Sequence, residues 1–159
     1  MATFIHDGIE FHYQESGPTG RPFIFQHGLG GDTGQPFGLF RPPAGTRLLT
    51  FDARGHGRTR PMGPPEQVCF AAFGEDLRAF MDHLGLTRAV LGGISMGAAL
   101  ALHATLRWPE RVEGLVLSRP AWLEQPYEWN VRMFSRISEN LRKYGVQAGL
   151  EEFQRTPEY

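Results

Sequence analysis

Four short runs of residues limit what this chain can become. They read FIFQ (23–26), RLLTFD (47–52), RAVLGGI (88–94) and VEGLVLS (112–118). Each is too short for a helix, and apolar residues follow one another instead of alternating with polar ones. A strand with one wet face alternates; a strand covered on both faces does not. Parallel sheets flanked by helices bury both faces, so the runs predict an α/β fold with a mostly parallel sheet and helices on both faces. Between the runs the period changes. Phe73, Leu77, Phe80 and Leu84 fall on one helical face over residues 70–84, and Gly85 ends that helix. Residues 96–107 predict a second helix, stopped at Trp108-Pro109 because a residue before proline avoids helical geometry. A short helix is predicted near 35–40.

The two ends differ from this middle. Residues 3–14, TFIHDGIEFHYQ, hold two short runs around Asp7-Gly8, a strong two-residue hairpin signal. That hairpin predicts antiparallel strands at one edge of the sheet. Beyond residue 126, Trp129, Met133, Ile137, Leu141 and Tyr144 share one helical face, and a second helix is predicted from Val146 to about Gln154. Two consecutive helices break the strand–helix alternation.

Composition excludes several functions. With 159 residues, 41% apolar and 21% charged, the chain is globular in character. Its net charge of −1 is spread along the sequence, so no nucleic-acid partner is expected. Fifteen arginines stand against one lysine, Lys143, a bias to which we attach no function. Cys69 is the only cysteine, which rules out an internal disulfide; beside a predicted helix it reads as a half-buried structural thiol. No apolar run has the length of a membrane span, and MATFIHDGIEFHY lacks the basic start and apolar stretch of a signal peptide. The expectation is a cytoplasmic protein with no membrane partner. No histidine pairs with Cys or a second His at ligand spacing, so neither a metal site nor a cofactor is expected.

The glycine-rich loops carry the chemistry. HGLGGDTG at 27–34 does not place glycines at the first, third and sixth positions of a dinucleotide fingerprint, and neither does the segment from Gly92. A phosphate loop would need Gly-Lys-Ser/Thr. By contrast, Gly93-Ile94-Ser95-Met96-Gly97 matches G-x-S-x-G between a predicted strand and a predicted helix, the context in which a serine is held as a nucleophile. Side chains at 93 and 97 would collide with the neighbouring strand and helix. Ser95 is left in a strained turn, and the Met96 N–H at the helix start is free to bind a developing oxyanion. If the strand at 23–26 neighbours that at 88–94, its loop lies beside this turn. The N–H of Leu29 is then the second donor. His27 reads as a loop organiser, and Asp52, Arg54 and His56 as ties within their own loop. Arg119, just past a strand's C-terminal end, either holds a substrate carboxylate or joins a surface or inter-strand salt bridge.

FQHGLGG (25–31), FDARGHGRT (51–59), GGISMGAALAL (92–102) and WPERVEGLVL (108–117) together resemble the α/β-hydrolase fold family, over about residues 3–120. The resemblance implies a serine hydrolase core in residues 1–122 and the start of a helical cap in 123–159. The branches with an aspartate nucleophile are disfavoured by Ser95. The family's order is Ser, then Asp or Glu, then His, with the last two from strands beyond the cap. Nothing in this sequence occupies those places, and His103 should face away from the turn. The expectation is therefore the N-terminal half of a core, completed by a second polypeptide segment, or by a partner copy in a homodimer. The reaction expected is cleavage of a small-molecule ester, thioester or lactone. Acyl transfer, carbon–carbon hydrolysis or lysis, and a non-catalytic binding role are the alternatives.

Overall fold

The computed structural model describes residues 2–120 and 128–159, with side chains from 132 onward in the second segment. The chain divides into two compact units, Met1–Ala121 and Trp122–Tyr159.

The first unit begins with β1 (Ala2–His6) and β2 (Ile9–Glu15), paired antiparallel with His6 opposite Ile9. Asp7 and Gly8 turn between them with φ of 50° and 72°, the twist that suits a two-residue hairpin. Then come β3 (Arg21–Gln26), α1 (Gly34–Leu39), β4 (Thr46–Phe51), α2 (Phe70–His83), β5 (Ala89–Ile94), α3 (Met96–Arg107) and β6 (Val112–Ser118). The strand order is β1-β2-β4-β3-β5-β6; β4, β3, β5 and β6 run parallel, and β2 joins them antiparallel to β4. The predicted strands, hairpin and helices are all present. Two 3-10 turns, Pro65–Gln67 and Pro109–Arg111, were not legible from periodicity.

The two faces of the sheet carry different helices. Ile24, Leu49, Phe51 and Leu91 pack with Leu77, Phe80, Leu100 and Ala104 of α2 and α3 in one core. Phe23 and Phe25, alternate to Ile24, instead meet the Phe40 ring that follows α1, at 5.9 and 5.1 Å between centroids. The order in which strands are added therefore reverses at β3. From β3 the chain passes to β4 on one side over α1, and later to β5 on the other side over α2. Open α/β sheets bind ligands at such a switch point, which in this chain is the C-terminal ends of β3 and β5.

Phe4, Phe11, Phe51 and Phe80 form the aromatic centre, with rings 4.8 to 5.9 Å apart. Each such burial contributes about 1.5–3 kcal/mol. α2 and α3 approach closely because Gly74 has no side chain; a Cβ there would lie 3.0 Å from the His103 ring. His103 is thus taken up by packing against α2.

One expectation is corrected here. Cys69 is exposed, not half-buried. It is the residue before α2, with extended backbone (φ −148°, ψ 160°), so it leaves the helix before the buried face begins at Phe73.

The second unit contains α4 (Glu128–Phe153), two helical stretches joined at Gly145, whose φ of 78° and ψ of −175° break the helix. They fold against each other where Gly149 meets Asn140; a Cβ on Gly149 would stand 2.9 Å from the Asn140 carbonyl oxygen. Of the predicted apolar face, Met133 and Ile137 are half-buried, but Leu141 and Tyr144 are exposed. Gly145 ends the regular helix just beyond them, so that face is not continued. Trp129 lies outside the residues with described side chains.

Candidate active site

β5 ends in Gly92-Gly93-Ile94 and α3 begins at Met96, leaving Ser95 alone to make the turn. Its backbone has φ of 53° and ψ of −112°. Non-glycine residues rarely occupy this region, at a cost of about 1–3 kcal/mol. The surroundings over-determine it. The Ser95 N–H donates to the Ser118 carbonyl at 3.1 Å, and the Ala99 N–H donates to the Ser95 carbonyl at 3.1 Å. A Cβ on Gly93 would fall 2.2 Å from the Gly97 carbonyl carbon, and one on Gly97 would fall 2.2 Å from the Gln26 carbonyl oxygen. No rotamer change relieves a clash with backbone, so only glycine fits at either position. Ser95 is half-buried and its hydroxyl makes no hydrogen bond to any described residue.

The loop after β3 passes directly over this turn. A Cβ on Gly28 would sit 3.6 Å from Ser95 Cβ. The Gly28 carbonyl accepts from His27 Nδ1–H at 2.8 Å and from the Gly31 N–H at 3.0 Å. Across a trans peptide the carbonyl and N–H point in opposite directions. Fixing the Gly28 oxygen therefore turns the Leu29 N–H the other way. Neither that N–H nor the Met96 N–H has an acceptor among the described residues. The Gly28 N–H is held separately by Gln35 Oε1 at 2.7 Å.

His27 is fully buried and acts at both ring nitrogens. Nδ1 carries the proton given to Gly28, so Nε2 is the acceptor for the Ala53 N–H at 3.0 Å. Burial holds its imidazole below the ordinary histidine range, partly offset by the Gly28 carbonyl. His27 thus organises the loop, as expected. His56 lies 5.0 Å away by ring centroids and donates from Nδ1 to the Arg54 carbonyl at 2.9 Å.

Two further anchors have partners that sequence spacing did not reveal. The buried Asp52 carboxylate accepts from the Thr33 N–H (2.6 Å), the Arg58 N–H (2.7 Å) and His12 Nδ1–H (3.2 Å). It ties the loop after β3 to the loop after β4 and to β2. A Cβ on Gly57 would lie 2.2 Å from that carboxylate, which is why glycine stands there. Arg54, also fully buried, grips Asp76 of α2 through Nε (2.7 Å) and Nη2 (2.8 Å). It further donates to Gln67 Oε1 at 2.6 Å and to Asp7 Oδ2 in the hairpin turn at 3.0 Å. The Arg54 guanidinium, first by its hydrogen bond, draws the Asp7 carboxyl below the usual carboxylate range. Gln26, at the end of β3, was also missed. It is buried, and neither atom of its amide has a partner among the described residues.

Arg119 follows β6 with φ of 45° and is exposed. It makes no ion pair among the described residues. No histidine hydrogen-bonds Ser95. The one His–Asp hydrogen bond among the described residues, His12–Asp52, is committed to holding the loops together. No group of His, Cys, Asp or Glu among them could hold a metal ion, and no described helix is long and apolar enough to cross a membrane.

A strained serine at a strand-to-helix turn, below a glycine loop on a doubly wound sheet, defines a class. The chain belongs to the alpha/beta hydrolase fold family, whose model matches residues 21–144. Among curated relatives it is 32% identical to the proline iminopeptidase of Neisseria meningitidis over 158 residues, covering 87% of this chain and 50% of that protein. Among solved structures it resembles a malate-bound thermophilic esterase from Thermogutta terrifontis, with TM-score 0.70 and 29% identity over 94% of this chain and 55% of that one. An enol-lactonase from Burkholderia xenovorans shares the fold, with TM-score 0.73 and 22% identity over 96% of this chain and 58% of that one. The chain thus spans about half the length of the Neisseria proline iminopeptidases to which it is related.

Proposed function

We propose that this chain carries the nucleophile half of a serine hydrolase that cleaves a small-molecule carboxylic ester, thioester or lactone. Ser95 Oγ attacks the carbonyl carbon, and the oxyanion is received by the Leu29 and Met96 N–H groups. The leaving alcohol or thiol departs, and water then releases the acid from the acyl-enzyme. On this reading a histidine base and its acid come from outside these residues, in a second polypeptide segment or a partner copy. The observation that supports it best is the strained Ser95 backbone beside two N–H groups that lack acceptors. The likeness to the Thermogutta esterase supports ester chemistry.

The test is covalent labelling of the full-length protein with a fluorophosphonate, read by intact mass. One adduct is expected, lost in Ser95→Ala together with turnover of 4-nitrophenyl butyrate. Undiminished turnover in Ser95→Ala would overturn the proposal. Without a histidine base, residues 1–159 alone should hydrolyse this ester slower by about three to six orders of magnitude.

A second reading is amide cleavage after an N-terminal proline, favoured by the relation to proline iminopeptidase. The same nucleophile would serve. Release of 4-nitroaniline from prolyl 4-nitroanilide, at rates above those for the butyrate ester, would select it.

A further inference from the structure

We propose that Arg119 recognises a carboxylate, so that the site takes acyl substrates bearing an acid group. The inference rests on Ser95 being the nucleophile. Its geometry begins with the pairing of β5 and β6, which run parallel with Ile94 opposite Ser118. The Ser95 N–H donates to the Ser118 carbonyl, which keeps the two chains in step past the strand ends. Arg119 directly follows the residue whose carbonyl receives the Ser95 N–H, and both Ser95 and Arg119 lie just past the ends of the paired strands. Both residues sit on the C-terminal edge of the sheet, where doubly wound folds bind ligands.

The backbone adds a second observation. Described non-glycine residues with left-handed φ are Asp7, Ser95 and Arg119. Asp7 is explained by its hairpin and Ser95 by its turn. Aspartate and asparagine tolerate this region through local hydrogen bonds, but arginine gains nothing locally from it. Strain at such a residue is kept where the direction of the side chain matters.

The third observation is the missing partner. Arg21, Arg47, Arg54, Arg78, Arg107 and Arg111 each meet a carboxylate of this chain. Arg119 meets none among the described residues and is exposed. A guanidinium presents paired donors matched to the two oxygens of a carboxylate. One such fork balances a single negative charge; a phosphate would call for further donors.

The experiment compares 4-nitrophenyl hydrogen adipate with 4-nitrophenyl hexanoate in the full-length protein, as wild type, Arg119→Met and Arg119→Lys. Wild type should favour the acid ester. Arg119→Met should lower kcat/KM for that ester by about 10–100-fold, the range for a lost charged hydrogen bond, and leave the hexanoate within about threefold. Arg119→Lys should recover part of the loss. Adipate should slow fluorophosphonate labelling of Ser95 in wild type and not in Arg119→Met. Equal loss on both esters, or no loss on either together with no protection by adipate, overturns the role of Arg119. Loss of Ser95 labelling itself would instead remove the underlying function, so the two failures are distinguishable.

Discussion

His27 has both ring nitrogens engaged while buried, and this makes the loop over Ser95 sensitive to acid. Its folded pKa lies below the ordinary value of 6.5, chiefly through burial. In the unfolded chain the ring takes a proton more readily, so its contribution to stability is present above about pH 6.5 and is lost as pH falls toward the folded pKa. Protonation would place a hydrogen on Nε2 and oppose the Ala53 N–H. The melting temperature of the full-length protein should therefore fall between pH 7 and pH 5.5, and His27→Asn should flatten that slope. An unchanged slope in the variant would count against it. Gly97 makes a steric demand at the same scale. Gly97→Ala must move either β3 or the start of α3, since the added carbon meets the Gln26 carbonyl at 2.2 Å. Overpacking of this kind costs about 1–3 kcal/mol. Fluorophosphonate labelling should drop at least about tenfold in that variant, and full labelling at wild-type rate would refute the packing argument.

The elements show what could be read from sequence and what could not. The Asp-Gly hairpin, the uninterrupted apolar strands and the 73-77-80 face of α2 are local patterns, and local patterns are written in consecutive residues. The G-x-S-x-G turn and the glycine loop were legible for the same reason. The clamps that hold them were not. Asp52 and Arg54 could be seen as loop ties, but their partners come from β2, the hairpin turn, the 3-10 turn and α2, and no spacing rule connects position 54 to positions 7, 67 and 76. For Arg119 the sequence left a substrate carboxylate and a salt bridge both open, because its left-handed backbone and its lack of an acid partner among the described residues exist only in three dimensions. Cys69 and Leu141 differ from expectation because they stand at or near the ends of helical stretches, where periodicity ceases to describe burial. The Arg54 clamp can be measured. Arg54→Met removes one member of a buried ion pair and leaves Asp76 uncompensated, a loss of about 3–5 kcal/mol. Urea denaturation of the full-length protein should show it. A change below about 1 kcal/mol would mean that water has replaced the guanidinium.

For the whole molecule, the important fact is that the described sheet stops at β6. One side of that strand has no neighbour among the described residues, and Val116 upon it is 45% exposed. Open strand edges recruit other chains. Residues 1–159 produced alone should self-associate at tens of micromolar, by sedimentation velocity, in the range where exposed edges and apolar surface drive assembly. A strictly monomeric species there would show that the edge is already protected. The hydrogen bond from Ser95 to Ser118 also has a bearing on synthesis. A growing chain emerges from its N-terminus onward, so β5 and the glycines around Ser95 leave the ribosome before the Ser118 carbonyl that receives the Ser95 N–H. Until residue 118 has emerged and β6 has zipped onto β5, the Ser95 N–H lacks its acceptor, and the turn rests only on the Ala99 N–H and on Gly97 against Gln26. The full set of hydrogen bonds at this turn is therefore completed late, at a defined point in translation, and a nascent chain halted short of β6 would lack one of them.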